Sequence, residues 1–187
     1  MELRWPSKTE LPSYVAALER GWSANTIDAG AGLVELEAIR RDSKAFLASL
    51  VDREAAGPPI PMPDGTFGQR LPGFRKWMWD GEFCGSIGFR WQPGTEQLPP
   101  HVLGHVGYSV VPWKRRLGYA TEAVRAVVPD AVREGLRWVE ITCDVDNLAS
   151  QGVIVGAGGT FVERFTNHEK YGTGDGFRYR VAITSRV

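Results

Sequence analysis

The chemistry of this chain is concentrated in Arg115, Arg116, Gly118 and Ala120, within the stretch YSVVPWKRRLGYA from Tyr108 to Ala120. An apolar, strand-like run ends at Pro112, Lys114 to Arg116 are basic, and helical periodicity begins at Gly118. Backbone N–H groups at a helix start have no intrahelical acceptor, and the helix dipole favours negative charge there. Gly118 removes the side chain that would block a close approach, Ala120 keeps the next turn small, and the arginines add fixed positive charge. Such a turn is built to hold phosphate.

Proton-transfer chemistry is offered first by His105, on the strand-like run that feeds this turn; its intrinsic pKa suits a general base. A histidine satisfied by core hydrogen bonds is the alternative reading. Asp144 and His168 are further candidates, and Asp144, at a strand end, could equally cap the next loop. Asp146-Asn147-x-x-Ser150 reads as a helix cap with two early polar side chains. Cys84 and Cys143 sit in strand-like runs, which favours buried thiols over a disulfide framework or a zinc site. Cys143 falls on an inward strand face and reads as core in preference to a nucleophile. No metal-ligand spacing is present.

Arg115-x-x-Gly118-x-Ala120 after a strand resembles the (Gln/Arg)-x-x-Gly-x-(Gly/Ala) signature of the GCN5-related N-acetyltransferases, the GNAT family. The order of parts also resembles that family, because a helix, a second strand and Asn147-x-x-Ser150 follow the turn. GHVGYSVVP from Gly104 and CDVDNLAS from Cys143 look like a bacterial branch of small-molecule acetyltransferases, and the resemblance is good over roughly residues 75 to 165. It implies that Arg115, Arg116, Leu117, Gly118, Tyr119 and Ala120 cradle the pyrophosphate of acetyl-CoA, the co-substrate. It also implies that the pantetheine arm pairs with Tyr108, Ser109 and Val110 almost as an added strand, with one of those amides polarising the acetyl carbonyl. Asn147 and Ser150 would bond the pantetheine or a phosphate. Many members carry a tyrosine seven residues after the asparagine to protonate the leaving thiolate; Ile154 stands there, so the acid is unassigned.

The elements that must position these residues are legible in part. One ordinary domain spanning 1–187 is expected, long enough for a sizeable core. With 22 basic and 22 acidic side chains the formal net charge is zero, so no global field favours nucleic acid or an anionic membrane. The charged N-terminus MELRWPSKTE does not read as a signal peptide and no segment approaches a membrane span, which leads to the expectation of a cytoplasmic protein.

A short strand at Leu3 to Trp5 is followed by helical patterns over Leu11 to Gly21 and Gly32 to Asp52. Ala55 to Gly73 holds prolines and glycines that exclude regular structure, as a disordered flap, a loop covering a site, or a mere connector. Asp80-Gly81 joins two strand patterns, Phe74 to Trp79 and Glu82 to Trp91, in a hairpin. Phe83, Ile87 and Phe89 alternate with Cys84, Ser86 and Arg90 along the second, so the former three share an apolar face. Trp77, Trp79 and Trp91 read as core or sheet cover. A strand over His101 to Val111 feeds the turn, and a helix from Tyr119 to Glu134 follows, with a kink or early break expected near Arg125 to Val128 because of Pro129. Trp138 to Asp144, Phe161 to Phe165 and Phe177 to Ile183 supply further strands, and Thr166 to Gly176 a polar loop.

The reading of the whole is a mixed α/β (α+β) fold of the GNAT type: a twisted, mostly antiparallel central sheet with one parallel pair and helices on both faces. The implied activity is transfer of acetyl from acetyl-CoA to a primary amine of a small molecule, by direct attack in a ternary complex. His105 or Asp144 would take the proton, or orientation beside the thioester would suffice. Alternatives are a protein N-terminus or amino acid as acceptor, or an acyl-CoA-binding module without catalysis. A nucleotide-binding enzyme is disfavoured, since the Gly-Lys-(Ser/Thr) of a P-loop and the spaced glycines of a dinucleotide fingerprint are missing. GNAT proteins are often dimers, so a homodimer is a further expectation.

Overall fold

The computed structural model describes residues 1–25, 28, 30–62, 64–167 and 174–183. His168 lies outside the described residues. In chain order the elements are β1 (Glu2–Arg4), α1 (Leu11–Glu19), α2 (Ala31–Ser49), β2 (Val51–Asp52), β3 (Ile60–Pro61), β4 (Phe67–Gly68), β5 (Gly73–Trp79), β6 (Phe83–Arg90), β7 (Val106–Val110), α3 (Tyr119–Arg133), β8 (Trp138–Asp144), α4 (Leu148–Gly156), β9 (Gly159–Thr166) and β10 (Asp175–Ala182).

Two sheets form the frame. The first runs β1-β5-β6-β7, with β2 also on β5, and the second runs β8-β10-β9. Among the described residues every ladder is antiparallel. The expected parallel pair, β7 beside β8, is reduced among the described residues to one backbone–backbone hydrogen bond: the His105 N–H donates to the Glu140 carbonyl at 2.8 Å, and no ladder continues from it.

The two faces of the first sheet carry two cores. Phe74, Met78, Ile87, Phe89 and Val106 face Ala123, Val124, Val127 and Ala131 of α3. Trp77, Phe83 and Val111 face Tyr14, Leu18 and Trp22 from α1 and its exit, with Leu36, Ile39 and Phe46 of α2. Tyr14 stacks on Trp77 with ring centroids 4.6 Å apart, and Trp91 on Phe89 at 5.4 Å. Burial of such rings contributes several kcal/mol each, roughly 3–5 on truncation.

Several boundaries differ from the sequence reading for local reasons. Phe83 does not share a face with Ile87 and Phe89: a bulge next to Gly85, where φ is +151°, shifts the register so that Phe83 turns to α1 and Cys84 to the α3 core. A Cβ at Gly85 would run into the Ser109 carbonyl, so the bulge requires glycine. The long second helix ends at Ser49 and is interrupted at Asp42, which has extended φ and ψ and whose carboxylate caps the N–H groups of Lys44 and Ala45, each at 2.9 Å. Pro129 does not end α3, which continues to Arg133. Ala55 to Gly73 does contain regular structure, the small hairpin of β3 and β4. Its turn was signalled by Asp64-Gly65, where Gly65 has φ +81° and Asp64 accepts from the Thr66 N–H at 2.9 Å. The feeding strand starts at Val106, not His101: the His105 carbonyl still accepts from the Arg90 N–H of β6 at 2.9 Å, and residues 101–104 make no backbone bond to that strand. No described helix is long and apolar enough to cross a membrane.

Candidate active site

The turn after β7 is assembled as its residue types suggest. Pro112–Lys114 makes one 3₁₀ turn, Arg116 adopts φ +66° and Gly118 φ +81°, and α3 begins at Tyr119. From Arg116 to Thr121 no backbone N–H donates to a described acceptor. This run of open donors at a helix start, with exposed Arg115 and Arg116 beside it, has the geometry of an anion cradle. A left-handed arginine costs about 1 kcal/mol, so strain is localised where the donors converge.

Lys114 plays a different part from its basic neighbours. Its ammonium lies 2.9 Å from both Asp80 and Glu82 of the β5–β6 turn, and the Tyr119 hydroxyl donates to Asp80 at 2.6 Å. The Tyr119 hydrogen bond, then that from Lys114, holds the Asp80 carboxyl well below the usual carboxylate range; the two carboxylates raise the lysine. The clamp ties the cradle to the hairpin. The Asp-Gly signal showed the turn but not that its carboxylate would reach across.

Beside the cradle, β7 presents a free edge. Its bonded pairs with β6 include His105 with Arg90 and Val111 with Cys84, so Gly107 and Ser109 share that side. Alternation then aims the N–H and C=O groups of Val106, Tyr108 and Val110 away from β6, toward β8. In β8 the pairing with β10 leaves Glu140, Thr142 and Asp144 facing back. The result is a wedge between two strand edges, pinned at His105–Glu140 and lined with backbone donors and acceptors. Tyr108 and Val110 are placed to pair with an extended ligand, although the Val110 carbonyl already accepts from Arg115 Nε at 3.3 Å. Ser109 is not so placed: its backbone faces β6 and its hydroxyl donates to the Ser23 carbonyl at 3.1 Å.

His105 forms the pin. It is fully buried, Nδ1 accepts from the Glu140 N–H at 3.0 Å, and Nε2 has no partner. Burial pushes its pKa down to about 4, against the pull of Glu140. The imidazole is thus neutral with its basic nitrogen occupied, the arrangement of a positioning core histidine. Asp144 is exposed at the end of β8, accepts from Asn167 Nδ2 at 3.3 Å, and stands apart from His105. Asn147 caps α4, its Oδ1 accepting from the Ser150 N–H at 3.0 Å. The Ser150 hydroxyl in turn meets the Tyr108 hydroxyl at 2.7 Å, which joins α4 to β7 across the wedge. Burial raises the Tyr108 phenol to about 12. Ile154 is fully buried in the α3 core. Cys143 borders this region and burial raises its thiol to about 11, while Cys84 is raised to about 12. Neither is a thiolate at neutral pH. Among the described residues no cluster of His, Cys, Asp and Glu could hold a metal ion.

On the α1/α2 side of the first sheet lies a cavity of about 320 Å³, bounded by Leu50, Asp52, Arg70, Arg75, Arg90 and His101 among others. The sequence reading of Ala55 to Gly73 as a loop covering a site pointed to one wall; the others were not legible, since the lining comes from five separated segments. The available signal was a glycine within a strand pattern, at Gly88, a mark of close approach.

These residues fit an acyl-CoA: a cradle for the pyrophosphate, cations beside it, and a strand edge for the pantetheine amides. The family described as acetyltransferase (GNAT) domain matches residues 65–160. No curated protein sequence matches the chain. Among solved structures, the fold is similar to the microcin C7 self-immunity acetyltransferase MccE in complex with acetyl-CoA and AMP, with TM-score 0.61, 13% identity, and coverage of 97% of this chain and 91% of that one. It is also similar to RimL, the ribosomal L7/L12 α-N-protein acetyltransferase in complex with coenzyme A, with TM-score 0.60, 15% identity, and coverage of 97% and 93%. A Salmonella typhimurium acetyltransferase that modifies the N-terminal serine of ribosomal protein L7/L12 gives TM-score 0.61 at 15% identity, covering 97% and 94%. With the family matched over half its length and the cradle, wedge and two-sheet fold in place, this chain belongs to the GNAT acetyltransferases, N-acetyltransferases that use acetyl-CoA as co-substrate.

Proposed function

We propose that the chain acetylates the primary amine of a small molecule, by direct attack on acetyl-CoA within a ternary complex. The observation that carries the small acceptor is the cavity over β5 and β6: Ile60, Gln69, Arg70 and Leu71 from the Ala55 to Gly73 segment wall it. A wall of this kind favours a compact acceptor over a protein terminus, which needs an open groove.

In this reading Arg116, the open N–H groups as far as Thr121, and Arg115 bind the phosphates. The edge groups of Tyr108 and Val110 hold the pantetheine and orient the thioester. Tyr108, hydrogen-bonded to Ser150, keeps its proton at neutral pH and takes over the donor role that Ile154 cannot fill. The amine proton leaves toward the exposed Asp144 and solvent, and juxtaposition of amine and thioester supplies most of the rate. His105 holds the two strands at the base of the wedge.

The test pairs calorimetric titration of acetyl-CoA with thiol release across a library of small amines and a set of N-terminal peptides. Micromolar binding and turnover confined to small amines is expected. Turnover of peptides with small amines inert would overturn the small-acceptor reading; absence of acetyl-CoA binding by the folded protein would overturn the whole.

A further inference from the structure

The cavity has an unusual floor. In the register of the first sheet Gly73 stands opposite Arg90, Gly88 opposite Arg75, and Gly88 also opposite Gly107. These residues therefore share the sheet face that looks toward α1 and α2. Gly88 and Gly107 have no positive φ, so their backbones do not require glycine. Added Cβ atoms would meet only backbone oxygens at 3.7 and 3.8 Å for Gly88, and Arg90 Nη2 at 3.3 Å for Gly107. Gly88 lines the cavity with room above its backbone for a ligand, whereas the space over Gly107 is taken by the Arg90 guanidinium.

The walls are cationic. Arg70, Arg75 and Arg90 line the cavity against one acid, Asp52. Arg75 is fixed by Glu35 at 2.7 Å and by the Tyr14 hydroxyl at 3.4 Å, both through Nη1. Arg70 is fixed through Nε to the Pro58 carbonyl at 2.6 Å, with Asp52 3.6 Å from Nη1. Pairing through one edge leaves a planar guanidinium further donors in a rigid fork that matches an oxyanion. Arg90 reaches over Gly107, which stands between Val106 and Tyr108 on the strand whose edge groups face the wedge, so the cationic trough runs up to that strand.

We propose that this trough binds the anionic end of the acceptor, so that the substrates are primary amines carrying a carboxylate or a phosphate. The inference rests on the reading that acetyl transfer occurs at the β7 edge. The glycine floor admits the carbon chain of the acceptor, the arginines hold its oxyanion, and the amine is left at Gly107 beside the thioester. Arg70 and Arg90 are specificity-determining residues in this scheme.

The experiment is calorimetric titration of the CoA-loaded protein with O-phosphoethanolamine, β-alanine and ethanolamine, on wild type, Arg70→Gln, Arg90→Gln and Arg90→Lys, with circular dichroism to confirm folding. At least one anionic amine is expected to bind tenfold or more tightly than ethanolamine. A glutamine variant should remove most of that difference while Arg90→Lys keeps part of it, and the two anionic probes distinguish phosphate from carboxylate. Equal affinity for the three amines, no binding of any, or a preference unchanged in both folded glutamine variants overturns the proposal. Acetyl release, followed in parallel from acetyl-CoA, reports separately on transfer: anion-selective binding without acetylation preserves the trough and sinks the transferase role of the site.

Discussion

His105 illustrates how a residue with the right intrinsic chemistry is taken out of use by its surroundings. The unfolded imidazole titrates near 6.5, the folded one near 4. Between these values the unfolded chain binds more protons, so stability is complete above pH 6.5 and is lost as pH falls toward 4, by roughly 3 kcal/mol. Urea titrations at pH 7 and pH 4.5 should show this loss, and His105→Asn should flatten it; an equal pH dependence in the variant would remove His105 as the cause. Tyr108 is the converse case, a phenol kept protonated by burial and aimed at Ser150. Tyr108→Phe is expected to lower kcat about tenfold while leaving KM for acetyl-CoA within about twofold, the scale on which a positioned proton donor acts. An unchanged kcat would return the donor role to solvent.

Among the elements, the connection from β7 to α3 carries two kinds of positive charge with different consequences. Arg116 makes no ion pair with the described residues and sits in the open cradle, whereas Lys114 is tied to Asp80 and Glu82. Arg116→Met should weaken acetyl-CoA binding about tenfold and reduce its salt dependence, as loss of a phosphate contact does. Lys114→Met should act through the tether, with a smaller loss of affinity and little change in salt dependence. Titrations at 50 and 300 mM salt separate the two, and identical behaviour would mean that the clamp is no clamp. Helix α3 is itself anchored from below by Asp130, almost fully buried, which accepts from Lys76 Nζ at 2.6 Å and Arg133 at 2.8 Å. Asp130→Ala strands the lysine and should cost about 3 kcal/mol in thermal or chemical unfolding.

At the scale of the molecule, the first sheet couples two cores through alternate residues of the same strands. Trp77 belongs to the α1/α2 side and Met78 to the α3 side. Unfolding should therefore be one cooperative transition, with tryptophan fluorescence and far-ultraviolet dichroism coincident, and Trp77→Ala should lower stability by about 3–5 kcal/mol while preserving the coincidence. Separate transitions by the two probes would show that the faces fold independently. The same two-sided construction leaves the turn with open N–H groups at the end of β7, the wedge along its edge, and the arginine-lined cavity on the α1/α2 face of β5 and β6.

What the sequence determined by itself was local. Arg115-x-x-Gly118-x-Ala120, the Asp80-Gly81 hairpin and the Asn147 cap each depend on residues within a few positions, where backbone conformation follows residue type. Strand β8 was legible to its exact ends because alternation persists along it. Tertiary structure decided whatever depends on distant partners: that His105 meets Glu140 and loses its basic nitrogen, that Asp80 reaches Lys114, and that Ser109 turns its backbone from the wedge. It also decided the faces of β6, since one bulge at Gly85 reverses a period-two pattern that the residues alone present as continuous. The trough lay furthest from view, because its glycines and arginines are brought together only when three strands and a loop take register, and long-range pairing leaves no mark in the spacing of any one segment.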